Sequence, residues 1–263
     1  MKAVILGSGG TVRIPVPCCR CKVCTEARKK GIPYSRGGPS IYIYDENILI
    51  DTPIDISSQL NREKIMKIKA VFYTHHHPDH VGGAKLFEDM NFDWVNLKPK
   101  RKTKIFLPEG VEKNIRKITD QLEYLKKMGV IKTKTIKNKE KIGRITIRPI
   151  KVNKEENVYG FMLSKGKKKV FYAPCDVMDV PIKKIKNLDL LIITNGIFTK
   201  KKERDDPLFS YIIHVAKESE CKRTIITHIE HSHKLTKNKA RELENRYKNL
   251  NLKFAYDGMK INV

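Results

Sequence analysis

The stretch Thr74-His75-His76-His77-Pro78-Asp79-His80 constrains this chain more than any other. Four of the eight histidines fall within these residues, and three of them with Asp79 give the spacing His-x-His-x-Asp-His. An apolar run, Ala70-Val71-Phe72-Tyr73, leads in, and Val81-Gly82-Gly83 leads out. That order reads as strand, tight ligand-rich loop, then the start of a helix. Imidazole suits zinc, iron and nickel, and a carboxylate among imidazoles completes such a site. A purification tag would sit at a terminus and would not carry Pro78-Asp79 in its midst.

Further ligands should come from other strand ends. Val170-Phe171-Tyr172-Ala173 reads as a strand, and Pro174-Cys175-Asp176 follows it. Open α/β architectures place site carboxylates at such ends, so Asp176 is a candidate ligand, with a turn or helix-cap role as the alternative. Thr224-Ile225-Ile226-Thr227 reads as a strand ending at His228, with His231 and His233 just beyond. His214 lies inside a helical stretch with no partner motif and reads as structural. Gly7-Ser8-Gly9-Gly10-Thr11 lacks the lysine and helix start of a phosphate loop. It reads instead as a turn where backbone approaches a site.

A second cluster is independent of the first. Four of the six cysteines, Cys18, Cys19, Cys21 and Cys24, fall within seven residues. Cys19-x-Cys21-x-x-Cys24 is a compact thiolate knuckle, and a structural zinc needs a fourth ligand to close its tetrahedron. Cys18 or a distant histidine could supply it. Cysteines at this density in an intracellular chain bind metal more often than they pair as disulfides.

The remaining pattern is βα with interleaved hairpins. Strands are expected over 2–6, 40–44 and 48–50, with a helix over 54–67 that uses Ile54, Ile65 and Ile68 in the core. A helix is expected over 81–90 and a strand over 105–107. One amphipathic helix over 109–128 should bury Ile115, Ile118, Leu122 and Leu125. Strands follow over 132–136, 145–152, 160–164, 170–173 and 189–195, then a charged loop over 200–206 and a helix over 210–219. After the strand at 224–227 come a helix over 236–248 and closing strands over 254–256 and 259–263. This predicts an α/β fold with mixed sheets and weakly visible halves, as a single domain over 1–263 with its knuckle at 18–24.

The 54 Lys+Arg against 29 Asp+Glu leave a net charge of +25. Such a balance suggests anionic partners, either small phosphoesters or nucleic acid, with basic runs at 98–104, 126–139 and 165–169. Abundant Lys and Ile with only two glutamines also fits a heat-adapted organism, although Glu lags behind Lys. No apolar run approaches the roughly 20 residues that span a bilayer, so no membrane partner is expected. Residues 1–7 read as a strand rather than a signal peptide, which points to the cytoplasm. A homodimer is left open.

His75-x-His77-x-Asp79-His80, Asp176 and His228 together resemble the metallo-β-lactamase superfamily. That resemblance covers nearly the whole chain and implies a four-layer αββα sandwich of two mixed β-sheets. More narrowly, the chain is similar to PhnP-type phosphodiesterases of the carbon–phosphorus lyase pathway. The residues carrying this are the knuckle, Thr227-His228-Ile229-Glu230-His231 and Asp257-Gly258-Met259. The resemblance implies a structural zinc on Cys19, Cys21, Cys24 and His231. It implies one catalytic metal on His75 and His77, a second on Asp79, His80 and His228, and Asp176 bridging, with one or two of zinc, manganese, iron or nickel bound. Asp79 would be catalytic, and a small (cyclic) phosphodiester would be hydrolysed through a metal-bound hydroxide.

Two departures stand out. The family has a third histidine for the first metal, but this chain has none between His80 and His214, and the matching segment reads Val152-Asn153-Lys154. Asn153, Asp179 or water could complete that site, or Lys154 could meet a substrate phosphate as a point charge. A family histidine before the last helix is replaced by Asp205-Asp206-Pro207. Two other functions therefore stay open. One is an RNA-processing nuclease, although the inserted arm of those enzymes is not evident. The other is a non-hydrolytic binding protein or transferase reusing the fold.

Overall fold

The structure, a computed structural model, describes residues 1–198 and 207–263. The chain opens with β1 (Lys2–Gly7), then α1 (Lys22–Lys30), β2 (Ser40–Ile43), β3 (Ile48–Ile50), α2 (Ile56–Arg62) and β4 (Ala70–Phe72). Next come α3 (Pro78–Val81), α4 (Leu86–Asn91), a small hairpin β5 (Phe92–Asp93) and β6 (Lys98–Pro99), and β7 (Thr103–Pro108). Then follow α5 (Val111–Ile118), α6 (Gln121–Lys127), β8 (Ile131–Ile136), β9 (Glu140–Ile142), β10 (Ile145–Asn153), β11 (Val158–Lys165) and β12 (Lys168–Ala173). The chain ends with β13 (Leu190–Thr194), α7 (Phe209–Glu218), β14 (Thr224–Thr227), α8 (Lys237–Arg246), β15 (Leu252–Phe254) and β16 (Met259–Asn262).

Two seven-stranded sheets result, in the orders β16-β1-β2-β3-β4-β7-β8 and β15-β14-β13-β12-β11-β10-β9. Each sheet repeats one plan. Antiparallel pairs, β1–β2–β3 and β9–β10–β11–β12, give way to parallel runs, β3–β4–β7–β8 and β12–β13–β14–β15. The parallel strands are apolar on both faces because both faces are covered. Alternation then sorts them. Ile50, Phe72, Tyr172, Ile192 and Ile225 meet in one core between the sheets. Leu49, Val71 and Tyr73 face outward to α2, α4, α5 and α6, while Leu191, Ile193 and Ile226 face α7 and α8. This is the αββα sandwich. Phe72 anchors it just before the histidine loop: its ring stacks on Phe106 at 4.8 Å and meets Phe161 of the other sheet edge-on at 5.7 Å.

Some expected helices are shorter or split. The helix over 54–67 runs only from Ile56 to Arg62, and Ile54 is exposed. Ile65 and Ile68 do pack against the core from the loop that follows. The helix over 109–128 breaks at Thr119, which is extended. Val111 and Ile115 on one helix and Leu122 and Leu125 on the next are buried, while Ile118 is largely exposed. Ile115 and Leu122 lie seven residues apart, so the apolar phase continues across the break and conceals it. The helix over 81–90 is two short pieces around Gly82-Gly83. A Cβ on Gly83 would lie 2.1 Å from the Pro53 carbonyl oxygen, so the chain must have glycine at that contact. The charged loop over 200–206 lies outside the described residues. Among the described residues, no helix is long and apolar enough to cross a membrane.

Candidate metal centres

The knuckle and His231 come together at the edge of the molecule. Donor atoms of Cys19, Cys21, Cys24 and His231 all lie within 4.8 Å of one another. His231 Nε2 is 3.2 Å from Cys21 Sγ and 3.5 Å from Cys19 Sγ. Cys18, the other fourth-ligand candidate, is exposed and outside this group. Local folding explains the arrangement. Cys21 caps α1, its thiol accepting the Cys24 N–H, and Cys24 Sγ accepts the Val16 N–H at 3.3 Å. The Arg28 guanidinium ties the loop by donating to the Val16 carbonyl at 2.6 Å. The Cys24 N–H and His231 pull the Cys21 thiol down to about 6, toward the thiolate that metals bind. The Ile229 and His231 amides donate to Ser8 and Val12 carbonyls, laying this segment along the N-terminal loop.

The second cluster is buried where strands of both sheets end. His75, His80 and His228 are buried, and His77 is half-buried. His80 Nε2 lies 3.4 Å from His228 Nε2, and Asp79 Oδ2 lies 3.4 Å from the first and 3.3 Å from the second. His77 Nδ1 lies 3.5 Å from Asp176 Oδ2. Donor atoms of His75, His77, Cys175 and Asp176 all fall within 4.8 Å of one another, as do those of His80, Cys175 and His228. Asp51, Asp176 and His228 follow β3, β12 and β14, and all three have left-handed backbones, with φ of 63°, 45° and 56°. Such turns cost about 1–3 kcal/mol each and are kept where a site needs them.

Fixed partners aim the rings. His80 Nδ1 donates to Asp51 Oδ2 at 2.8 Å, leaving Nε2 as the acceptor that faces the centre. Thr74 Oγ1 donates to the same carboxylate oxygen and accepts from His75 Nδ1 at 2.9 Å, which sets His75 in the matching tautomer. His75 Nε2 and Asp79 Oδ1 are buried without a hydrogen-bond partner among the described residues. Buried orphans of this kind are costly, and bare lone pairs converging in a dry interior need a cation between them. The N, O and S donors present suit a divalent transition metal, so the residues fit the group that the motif implies. Burial pushes the Asp79 carboxyl up, but His80, His228 and His77 outweigh it and hold it below the carboxylate range. Burial opposes charge on His80, but Asp79 and Asp51 outweigh it and raise this ring. Burial and neighbouring histidines keep His75 neutral.

The glycine turn meets the centre as its sequence suggests: a Cβ on Gly10 would lie 2.4 Å from His228 Nδ1. The β10–β11 loop contributes differently. Asn153 Oδ1 accepts the Glu155 and Glu156 N–H groups, so it holds the loop. Asp179 accepts the Lys154 N–H, and the exposed Lys154 ammonium lies 3.9 Å from it. Asp179 does not join the converging donors. Glu156, from the same loop, places Oε2 at 3.8 Å from His77 Nε2. Asp205 and Asp206 lie outside the described residues, and Pro207 joins Cys175, Asp176 and His228 around a cleft of about 20 Å³ beside the centre. A larger cavity of about 360 Å³, lined by Tyr34, Arg36, Phe254 and Tyr256, lies beside the knuckle and contains none of the candidate ligands.

Sequence reasoning missed Cys175 and Asp51. Both stand at strand ends, Cys175 directly before Asp176 and Asp51 directly after Ile50. Burial and neighbouring Asp176, Asp79 and Glu230 push the Cys175 thiol up.

Comparison with known proteins places the fold. A diphosphatase of the PhnP family superposes with a TM-score of 0.77 at 23% identity, over 100% of this chain and 97% of that one. Zinc-bound PqqB from Methylobacterium extorquens gives 0.81 at 18% identity, over 100% of both chains. The short form of human tRNase Z gives 0.68 at 18% identity, over 100% of this chain and 99% of that one. A curated octanoyltransferase from Porphyromonas gingivalis is 36% identical over 86 residues, 32% of this chain and only 17% of that protein's length. The family model for a beta-lactamase superfamily domain matches residues 46–229, from the turn before β3 to just past His228. The chain therefore belongs to the beta-lactamase superfamily, and its two mixed sheets between helices are the metallo-β-lactamase sandwich.

Proposed function

We propose that this protein is a metal-dependent hydrolase that cleaves small, in particular cyclic, phosphodiesters. The observation that carries this reading is two adjoining donor sets, His75, His77 and Asp176 in one and Asp79, His80 and His228 in the other, with His75 Nε2 and Asp79 Oδ1 left bare. A divalent zinc, manganese, iron or nickel ion held there supplies Lewis acidity toward a phosphoryl oxygen and makes water a nucleophile near neutral pH. His75, His77 and Asp176 form one side of the donor set, and Asp79, His80 and His228 form the other. Asp51 and Thr74 keep the ring protons of His80 and His75 on Nδ1, so both Nε2 atoms stay available. Asp79 would hold the cation and the attacking water together through its two carboxylate oxygens. Lys154, exposed and held only loosely by Asp179, would meet a substrate phosphate as a point charge. The knuckle, loaded with zinc, staples the N-terminal loop to the segment carrying His228. Turnover of bis-p-nitrophenyl phosphate with added zinc or manganese tests the reading, and no turnover with a metal-loaded centre sinks it.

A second reading, an RNA-processing nuclease, is favoured by the outer face of the second sheet. There Lys139, Arg148, Lys169, Lys184 and Lys186 line a groove of about 290 Å³, and an adjoining one adds Lys137, Lys151 and Lys154. Rows of cations on one face suit a phosphate backbone. RNA affinity that falls steeply with salt would favour this reading, and salt-independent or absent binding would remove it.

A further inference from the structure

Cys175 is 4% exposed, and its thiol belongs to both converging donor sets. It lies with His75, His77 and Asp176 on one side and with His80 and His228 on the other, with donor atoms in each set within 4.8 Å of one another. The first set without it has two imidazoles and one carboxylate; a catalytic zinc keeps one position for water and can expand to five donors, which leaves room for a fourth protein donor beside the water. No histidine between His80 and His214 can supply the fourth. Asn153 spends its carbonyl on its own loop, and Lys154 is a cation pointing at Asp179. Glu156 is near His77, but its side chain is half exposed. Cys175 is the buried donor already in place. His75 Nε2, bare and fully buried beside it, is an independent mark of a ligand at this point.

We propose that Cys175 is a ligand of the metal centre, its thiolate completing the coordination sphere of the cation held by His75, His77 and Asp176. Binding releases one proton: the S–H bond breaks, the sulfur–metal bond forms, and the proton leaves to solvent. No redox change occurs. The same thiol also lies within 4.8 Å of the His80 and His228 donors. A soft donor biases the site toward zinc, cobalt or iron and away from magnesium and manganese. The inference rests on reading the cluster as a metal centre, and it is independent of which bond the enzyme cleaves.

The test uses the full chain with zinc retained in the Cys19–Cys24 knuckle and the centre stripped by a mild chelator. Knuckle zinc has a filled d shell and is silent, so cobalt(II) added to the centre reports alone. The expected result is a thiolate-to-cobalt charge-transfer band in the near ultraviolet that accompanies the visible d–d bands. X-ray absorption of the same wild-type sample should show sulfur in the cobalt shell, a readout that needs no variant to fold. Cys175→Ser and Cys175→Ala should lose the band and bind cobalt at least about tenfold more weakly, on the scale of disrupted metal-site partners. Cys221→Ser, at a partly buried cysteine between α7 and β14 that belongs to neither donor set, should keep both. Bound cobalt with d–d bands but no sulfur in its shell overturns the role of Cys175 and leaves the metal centre standing. Failure of the centre to take up cobalt at all overturns both.

Discussion

The knuckle and the histidine centre differ in what holds them in place. The knuckle takes three of its four donors from residues 19–24, on a loop and the first turn of α1, and the fourth from His231 in another turn. Its donors other than Cys24 are partly exposed. The centre takes its donors from the ends of β4, β12 and β14, which belong to two sheets sharing one core. Its rings are fixed from behind by Asp51 and Thr74. Loops need the cation to stay closed, whereas strand ends present their ligands without it. The fold should depend on metal at the knuckle, and catalysis should depend on metal at the centre.

The sharpest way to separate the two is to remove one donor from each. His77→Ala should lower phosphodiesterase turnover by at least about 100-fold while leaving the melting temperature unchanged. Cys21→Ser should do the reverse to the fold, costing roughly 2–5 kcal/mol in denaturant unfolding, the scale of losing a long-range cross-link. An unchanged melting temperature in Cys21→Ser would show that the knuckle is not a structural zinc site. Strong chelation should reproduce both effects in order, activity disappearing before stability as the centre is emptied first; simultaneous loss would mean the two clusters are not separable. Asp51→Asn should keep the fold and weaken metal binding at the centre by about 10–100-fold, since it disturbs the His80 ring and the Thr74 bridge without touching the cation. The smallest effect belongs to Lys154→Ala, expected to raise KM a few-fold with kcat nearly unchanged, because its ammonium is exposed. A fall in kcat instead would move Lys154 into the reacting group.

How much of this was readable from the sequence follows the same contrast. The loop at 75–80 is legible because its ligands are contiguous and carry a spacing. Asp176 and His228 are legible because each follows a buried apolar strand. Asp51 and Cys175 stand at strand ends of the same kind but fall outside the ligand pattern that the resemblance carries, and only the fold shows that they face the centre. Spacing does not settle the fourth knuckle ligand, since it leaves both Cys18 and a distant histidine open, and the family resemblance singles out His231. Among the helices, the break at Thr119 is hidden because Ile115 and Leu122 keep one apolar phase across it. The four layers were implied by the resemblance, while the matched plan of the two sheets emerges only from strand pairing.

The most direct test of two separable clusters is the metal content per chain of wild type and of the double variant His75→Ala/His80→Ala, measured by mass spectrometry beside a melting curve. The account predicts that the double variant keeps one zinc per chain and melts closer to wild type than Cys21→Ser does, while losing every further ion. Loss of all metal, or a melting temperature that falls as it does in Cys21→Ser, would contradict it.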